Sequence, residues 1–321
     1  MDVTGTKAAR VLDGVAIAAE IKAEVAVQVR VLRASGITPG LVVVLVGEVP
    51  ASAIYVRSKV KTCAELGIYS EMITPPETVT TDEMLRIIAD LNARDDVDGI
   101  LIQLPLPKHV NTKRLLEAVA PEKDVDGFHP VNAGRLQAGQ TGLAPCTPAG
   151  ILEILRRSAI DVAGKSAVVV GRSDIVGKPA AMMLLNASAT VTVCHSRTQD
   201  LARYTRDADI LVAAIGRPGF VTKDMVKPGA VLIDVGINRL TDAAEVERFF
   251  PGDEARLEGF QRRGSTVVGD IDPEAFAVAG AYTPVPGGVG ALTIAMLMQN
   301  TVTAARLRRQ LDSNLDPDRA R

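Results

Sequence analysis

The sequence predicts an α/β protein made of two α/β domains, each built on a largely parallel sheet. Three observations lead there. The chain has 321 residues, 47% of them hydrophobic, more than one core usually organises. Short β-branched runs alternate with amphipathic stretches of helical length: LVVVLVG at 41–47, GILIQL at 99–104, SAVVVG at 166–171, ATVTVCH at 189–195, DILVAAIG at 209–216 and AVLIDVG at 230–236. Continuously apolar strands of this kind are expected where helices cover both faces of a parallel sheet. Between the two strand-rich halves, GRLQAGQTGLAPCTPAG at 134–150 is dense in Gly and Pro and reads as a connection. The boundary is therefore expected near Pro148, giving a first domain at 1–148 and a second at 149–288. A closing helix at 289–311, apolar early and basic late, is expected to return to the first domain, with a tail at 312–321.

Composition narrows the function classes. A formal net charge of −2 leaves no electrostatic footprint for nucleic acid or an anionic membrane. Aromatic residues make up 3% and Trp is absent, which argues against a base-stacking platform. Cys63, Cys146 and Cys194 are odd in number and widely spaced, as reduced thiols of a cytoplasmic protein would be. His109, His129 and His195 lack metal-ligand spacing, so no metal is expected. The first residues carry no apolar leader, and no apolar run reaches membrane-spanning length. Small-molecule chemistry becomes the leading class.

In the second half, SAVVVGRSDIVGKPAAMMLLN reads as strand, tight turn and helix. A helix N-terminus there presents free N–H groups and a positive dipole end, which suits a pyrophosphate. The spacing Gly171-x-Ser173-x-x-Val176-Gly177 meets the dinucleotide pattern only in part, and the same residues could form an ordinary βα turn capped by Ser173 or Asp174. The next strand ends in Cys194-His195-Ser196-Arg197-Thr198, without the acid that would take a ribose 2′-OH; Ser196 and Arg197 instead suit a 2′-phosphate. A Rossmann-like domain with NADP preference follows as the expectation. The segments IGRPGF at 215–220 and DVGIN at 234–238 end further strands, along the edge where open parallel sheets bind ligands.

In the first half, ASAIYVRSKVKTCAELGI reads as a helix opening at Ser52 and ending at Gly67. Tyr55 and Lys59, at i and i+4, share one face. By spacing alone Lys59 is one more solvated helix lysine. Gln103 interrupts an apolar strand near its carboxyl end, where a buried amide needs partners. KDVDGFHP places Asp124 and Asp126 before Gly127 in a compact acidic turn, and an Asx turn without a ligand would need the same residues.

Taken together, YVRSK, ILIQLPLP, KDVDGFHPVNAGRL, CTPAG, GRSDIVGKP, CHSRT, DVGIN and TPVPGGVG stand in the order of the bifunctional methylenetetrahydrofolate dehydrogenase/methenyltetrahydrofolate cyclohydrolase family. The chain resembles that family over most of residues 10–310. The resemblance implies that Lys59 is the catalytic lysine, with Tyr55 its neighbour over the folate and Gln103 its hydrogen-bond partner. It further implies that Asp126 holds the pterin, that Ser52, Pro286 and Gly287 assist substrate binding, and that Gly171, Arg172, Ser173, Ser196, Arg197 and Ile237 meet the cofactor. A homodimer through the cofactor domains and a cleft between the two domains are also implied. The expected chemistry is NADP-dependent oxidation of methylenetetrahydrofolate to the methenyl cation, then hydrolysis to the formyl product. A lysine acting as base toward water must be neutral at that moment, and burial together with a neighbouring cation favours the neutral amine.

Two departures from the family pattern stand out. Ala291-Leu292 replaces the Pro-Met usual after GGVG, and the stretch 239–265 exceeds the usual short connection. The competing readings are a dehydrogenase without the second activity, an NADP-dependent amino- or hydroxy-acid dehydrogenase sharing only the second half, and a non-catalytic nucleotide-binding scaffold.

Overall fold

The computed structural model describes residues 8–47, 50–140 and 142–311, the side chains of 50–54 excepted. In chain order the elements are β1 (Arg10–Val11), α1 (Gly14–Ala34), β2 (Gly40–Val44), α2 (Pro50–Leu66), β3 (Tyr69–Ile73), α3 (Thr81–Ala93), β4 (Gly99–Ile102), α4 (Thr112–Ala118), α5 (Pro130–Gln137) and α6 (Cys146–Arg157). They continue with β5 (Ser166–Val170), α7 (Gly177–Asn186), β6 (Thr190–Cys194), α8 (Leu201–Thr205), β7 (Ile210–Ala213), β8 (Val231–Asp234), β9 (Asn238–Leu240), α9 (Ala243–Phe249), α10 (Glu254–Arg263), β10 (Thr266–Val268), β11 (Ala281–Tyr282) and α11 (Val289–Arg308). The described residues pack as two compact units: residues 18–146 with 293–311, and residues 8–17 with 147–292. The 312–321 segment lies outside the described residues.

In the unit of residues 18–146, a parallel sheet runs β3-β2-β4. All five residues of β2 are buried, because helices cover both faces of a central parallel strand. Helix α3 shows how local sequence meets the core: Thr80 and Glu83 form a reciprocal capping box at its start, while Met84, Ile88 and Leu91, on one face, enter the core beside Val42 and Val44. At its far end the buried Lys123 donates to the carbonyls of Leu91, Asn92 and Arg94, supplying the donors that the last turn lacks. Helix α2 ends at Gly67, which takes φ +77°, the left-handed conformation expected of a residue closing a helix. The carboxyl end of α11 is held here by the fully buried Asp98, which accepts from Arg308 and Arg309 at 2.5 Å each and from the Gly40 N–H at 3.0 Å.

In the other unit, a six-stranded sheet runs β1-β11-β8-β7-β5-β6, and every pairing in it is parallel. Strand β5 lies between β6 and β7, so the chain leaves it in opposite directions on its two sides. That is a topological switch point, with its crevice at the carboxyl ends of the strands. Strand β1 joins this sheet through β11, so residues 10–11, expected in the first domain, pair in the second sheet; a two-residue strand has too little pattern to be seen in sequence.

The stretch 239–265 folds as a small module of its own. Strands β9 and β10 pair antiparallel, Asp242 and Asp253 cap α9 and α10, and Leu240, Val246, Phe249 and Val268 form a separate apolar cluster.

Candidate active site and cofactor edge

The first candidate site grows from α2, the end of β4 and the turn after it. Lys59 is 9% exposed, while Tyr55, one turn earlier on α2, is 49% exposed. Lys59 Nζ donates to Gln103 Oε1 at 3.0 Å. The amide of Gln103 can face only one way, because its Nε2 donates to the Leu104 carbonyl at 2.8 Å, leaving the oxygen for the lysine. The Gln103 N–H bonds the Val44 carbonyl at 2.9 Å, which prolongs the β2–β4 ladder and fixes where the side chain starts.

The acidic turn lies alongside β4, since Ile100 N–H donates to the Lys123 carbonyl at 2.8 Å and Ile100 bridges to Asp124. Its two carboxylates have separate jobs. Buried Asp124 accepts from the N–H groups of Phe128 and His129 and from Asn132 Nδ2, at 3.1, 2.8 and 2.9 Å; it is the Asx-type structural residue. Asp126 is partly buried and, among the described residues, accepts no hydrogen bond. Burial pushes its carboxyl up to about 6, against the pull of the nearby Lys59 charge and with the help of Asp124. A lysine, an amide and a carboxylate without a donor thus converge within one unit.

The second site is the β5–α7 turn and its neighbours. Gly171 takes φ +140°, and a Cβ there would stand 2.3 Å from the Ala214 carbonyl; at Gly177 it would stand 2.3 Å from the carbonyl of Gly171. Only glycine lets the turn close this tightly over the switch point. Ser173 Oγ accepts from Val176 and Gly177 N–H at 3.2 and 3.3 Å, so it caps α7 while its own hydroxyl hydrogen remains available to donate. Arg172, Ser196 and Arg197 are exposed after β5 and β6, and neither guanidinium has a carboxylate partner among the described residues. Because β5 and β6 pair with Val170 opposite Cys194, both arginines belong to the same sheet edge. Ile237, 53% exposed, follows β8 on that edge.

Sequence models of the tetrahydrofolate dehydrogenase/cyclohydrolase family match both regions: its catalytic domain over residues 12–126 and its NAD(P)-binding domain over residues 145–309. The chain belongs to this family. A relative from Koribacter versatilis, the bifunctional protein FolD, is 64% identical over 94% of this chain and 98% of its own length. The crystal structure of the bifunctional FolD dehydrogenase/cyclohydrolase from Campylobacter jejuni is 46% identical, with a TM-score of 0.85 over 94% of this chain and all of that one (100%). The Trypanosoma brucei dehydrogenase-cyclohydrolase, solved with NADP cofactor and inhibitor, is 37% identical with a TM-score of 0.84, covering 96% of this chain and 100% of that one.

In this family member the donor set at the sheet edge fits a phosphorylated dinucleotide: a glycine-only turn, the amino end of α7 and two guanidiniums without acidic partners among the described residues. The structure brings Lys59, Gln103 and Asp126 into one unit, with Tyr55 on the same helix. Ser52 lies on α2, but its side chain is outside the described residues. Pro286 and Gly287 belong to the other unit, in the loop between β11 and α11.

Sequence reasoning missed two buried carboxylates behind the cofactor edge. Asp270 accepts from the N–H groups of Ile215, Gly216 and Arg217 and from Asn238 Nδ2, at 2.5, 2.8, 2.9 and 2.8 Å. Asp234 accepts from Gly236, Asp270 and Ile271 N–H at 2.8–2.9 Å, and burial pushes its carboxyl up to about 7. Together they fix the IGRPGF and DVGIN turns. The available signal was an acid placed between apolar residues in GDID, at 269–272.

Proposed function

We propose that this protein is a bifunctional one-carbon folate enzyme that oxidises 5,10-methylenetetrahydrofolate to the methenyl cation with NADP and then hydrolyses it to 10-formyltetrahydrofolate. The observation that carries this reading is the buried Lys59–Gln103 hydrogen bond beside a carboxylate, Asp126, that no protein group engages among the described residues.

Asp126 binds and orients: two carboxylate oxygens suit the paired amino and ring N–H donors of a pterin. Tyr55, exposed one turn before Lys59, offers an aromatic face to the substrate. NADP, when bound by Gly171, Arg172, Ser173, Ser196, Arg197 and Ile237, supplies the hydride acceptor for the oxidation. Loss of hydride leaves the former methylene carbon in an amidinium shared between N5 and N10.

Water adds to that carbon, and the neutral Lys59 amine takes the proton released. The hydroxyl oxygen then forms the C=O as its remaining proton leaves to solvent, the carbon–N5 bond breaks with its electron pair on N5, the Lys59 ammonium returns the first proton there, and the carbon stays on N10 as a formyl group. Gln103 holds the amine in place without adding charge.

Ser196 and Arg197 favour NADP over NAD by pairing with a 2′-phosphate. The free edge of β6, with Val193 exposed, supports a homodimer through the cofactor units. Three buried free cysteines and the absence, among the described residues, of any helix long and apolar enough to cross a membrane support a cytoplasmic setting.

The test is an assay with methylenetetrahydrofolate and either nicotinamide cofactor, following reduced cofactor and methenyl product separately. Reduction of NADP without lasting methenyl accumulation is expected. Persistent methenyl product would reduce the protein to a dehydrogenase, and no cofactor reduction would reject the reading.

A further inference from the structure

Helix α11 brings to the lysine unit a buried amide with no part in the chemistry above. Asn300 Nδ2 donates to the carbonyls of Val125 and Ala144, each at 2.8 Å, and lies 3.6 Å from Cys146 Sγ. The Cys146 thiol donates to the same Val125 carbonyl at 3.3 Å. An amide nitrogen carries two hydrogens, so Asn300 ties the acidic turn to the segment 144–146 using both. The Val125 carbonyl belongs to the planar peptide that leads into Asp126. Holding that oxygen therefore sets the plane from which the Asp126 side chain departs. Asp126 accepts no hydrogen bond among the described residues, and Lys59 acts on it through charge alone, so no hydrogen bond fixes the carboxylate and the backbone sets where it starts.

We propose that Asn300 is a positioning residue for folate recognition, acting through the Val125–Asp126 peptide to orient the Asp126 carboxylate toward the pterin. The proposal rests on the reading of Asp126 as the pterin ligand. It gives α11, a helix remote in sequence from the acidic turn, a part in substrate affinity and none in proton transfer.

The experiment is a double-mutant cycle read by steady-state kinetics on the full chain. Asn300→Ala is expected to raise the KM for methylenetetrahydrofolate about 10-fold, with kcat and the KM for NADP changed less than about twofold. In an Asp126→Asn background the same substitution is expected to add nothing, because the carboxylate it positions is gone. If the two effects multiply, or if kcat and the NADP KM move with the folate KM, Asn300 is only structural and the proposal fails. Should Asn300→Ala not fold, Asn300→Ser, which keeps one donor, carries the cycle. The wild-type assay separates the two levels of inference: no turnover of methylenetetrahydrofolate by the wild type removes the functional reading and this proposal with it, whereas normal turnover with a multiplicative cycle removes this proposal alone.

Discussion

Asp126 and Lys59 each make a prediction. For Asp126, burial raises the carboxyl to about 6 in the folded chain from an ordinary value of 3.8. A raised acid keeps its stabilising neutral form below the unfolded value and loses that advantage as pH rises through the folded one. Between pH 4 and 6 the folded state therefore gives up stability, of order 1–3 kcal/mol. Asp126→Asn is expected to raise the melting temperature of the free protein at pH 8, where wild type carries the buried charge, and to leave it unchanged at pH 4. Folate binding runs the opposite way, since the ionised carboxylate is the acceptor: the KM for methylenetetrahydrofolate should fall as pH rises through about 6, and Asp126→Asn should flatten that profile. For Lys59, replacement by Met keeps the stem and removes the amine. Cyclohydrolase turnover is expected to drop by ~10²-fold or more while the circular dichroism spectrum stays that of wild type; near-normal hydrolysis would reject the assignment.

At the scale of elements, two attachments carry the site's geometry. The end of α11 is fastened by Arg308 and Arg309 on the fully buried Asp98. Asp98→Ala removes the carboxylate shared by two guanidiniums and the Gly40 N–H, while Arg308 keeps the Val97 carbonyl and Arg309 the Ala305 carbonyl, so a loss of about 2–3 kcal/mol is expected; urea unfolding should show it as a lower midpoint. The inserted module is fastened to the cofactor edge at Gly219, whose φ is +57° and where a Cβ would lie 2.2 Å from Phe249 Cε1. Phe249 belongs to the module's own core and cannot move away cheaply. Gly219→Ala is expected to destabilise by about 2 kcal/mol and to raise the KM for NADP more than that for folate, because the displaced turn is the one that Asp270 holds beside β7.

At the scale of the whole molecule, a ligand that binds only the folded state raises its melting point by mass action. NADP should therefore shift the melting temperature more than NAD at equal concentration, and Arg197→Ala should abolish the difference while leaving the NAD shift intact. Equal loss with both cofactors would remove the 2′-phosphate role. Much of this architecture was legible in the linear chain. Alternating apolar runs announced parallel strands, Gly67 announced the end of α2, and the tight βα turn announced the dinucleotide edge, because each depends on local periodicity or on a single backbone conformation.

The site was legible only in pieces. Sequence by itself determined the fold class, the glycine turn and the residues that could take part, and ordered motifs tied them to one family. Local pattern alone left Lys59 as one more helix lysine, Asp124 and Asp126 in one acidic turn, and Ser173 as either cap or ligand; only the family resemblance singled out Lys59, Asp126 and Ser173. Tertiary structure separated their surroundings. Asp124 faces backbone N–H groups and Asp126 does not, Lys59 meets Gln103 across α2 and β4, and Asn300 reaches Val125 over 175 positions of chain. The physical reason is that a side chain's role depends on its desolvation and on which partners remain for its polar atoms, and both are set by residues far away in sequence.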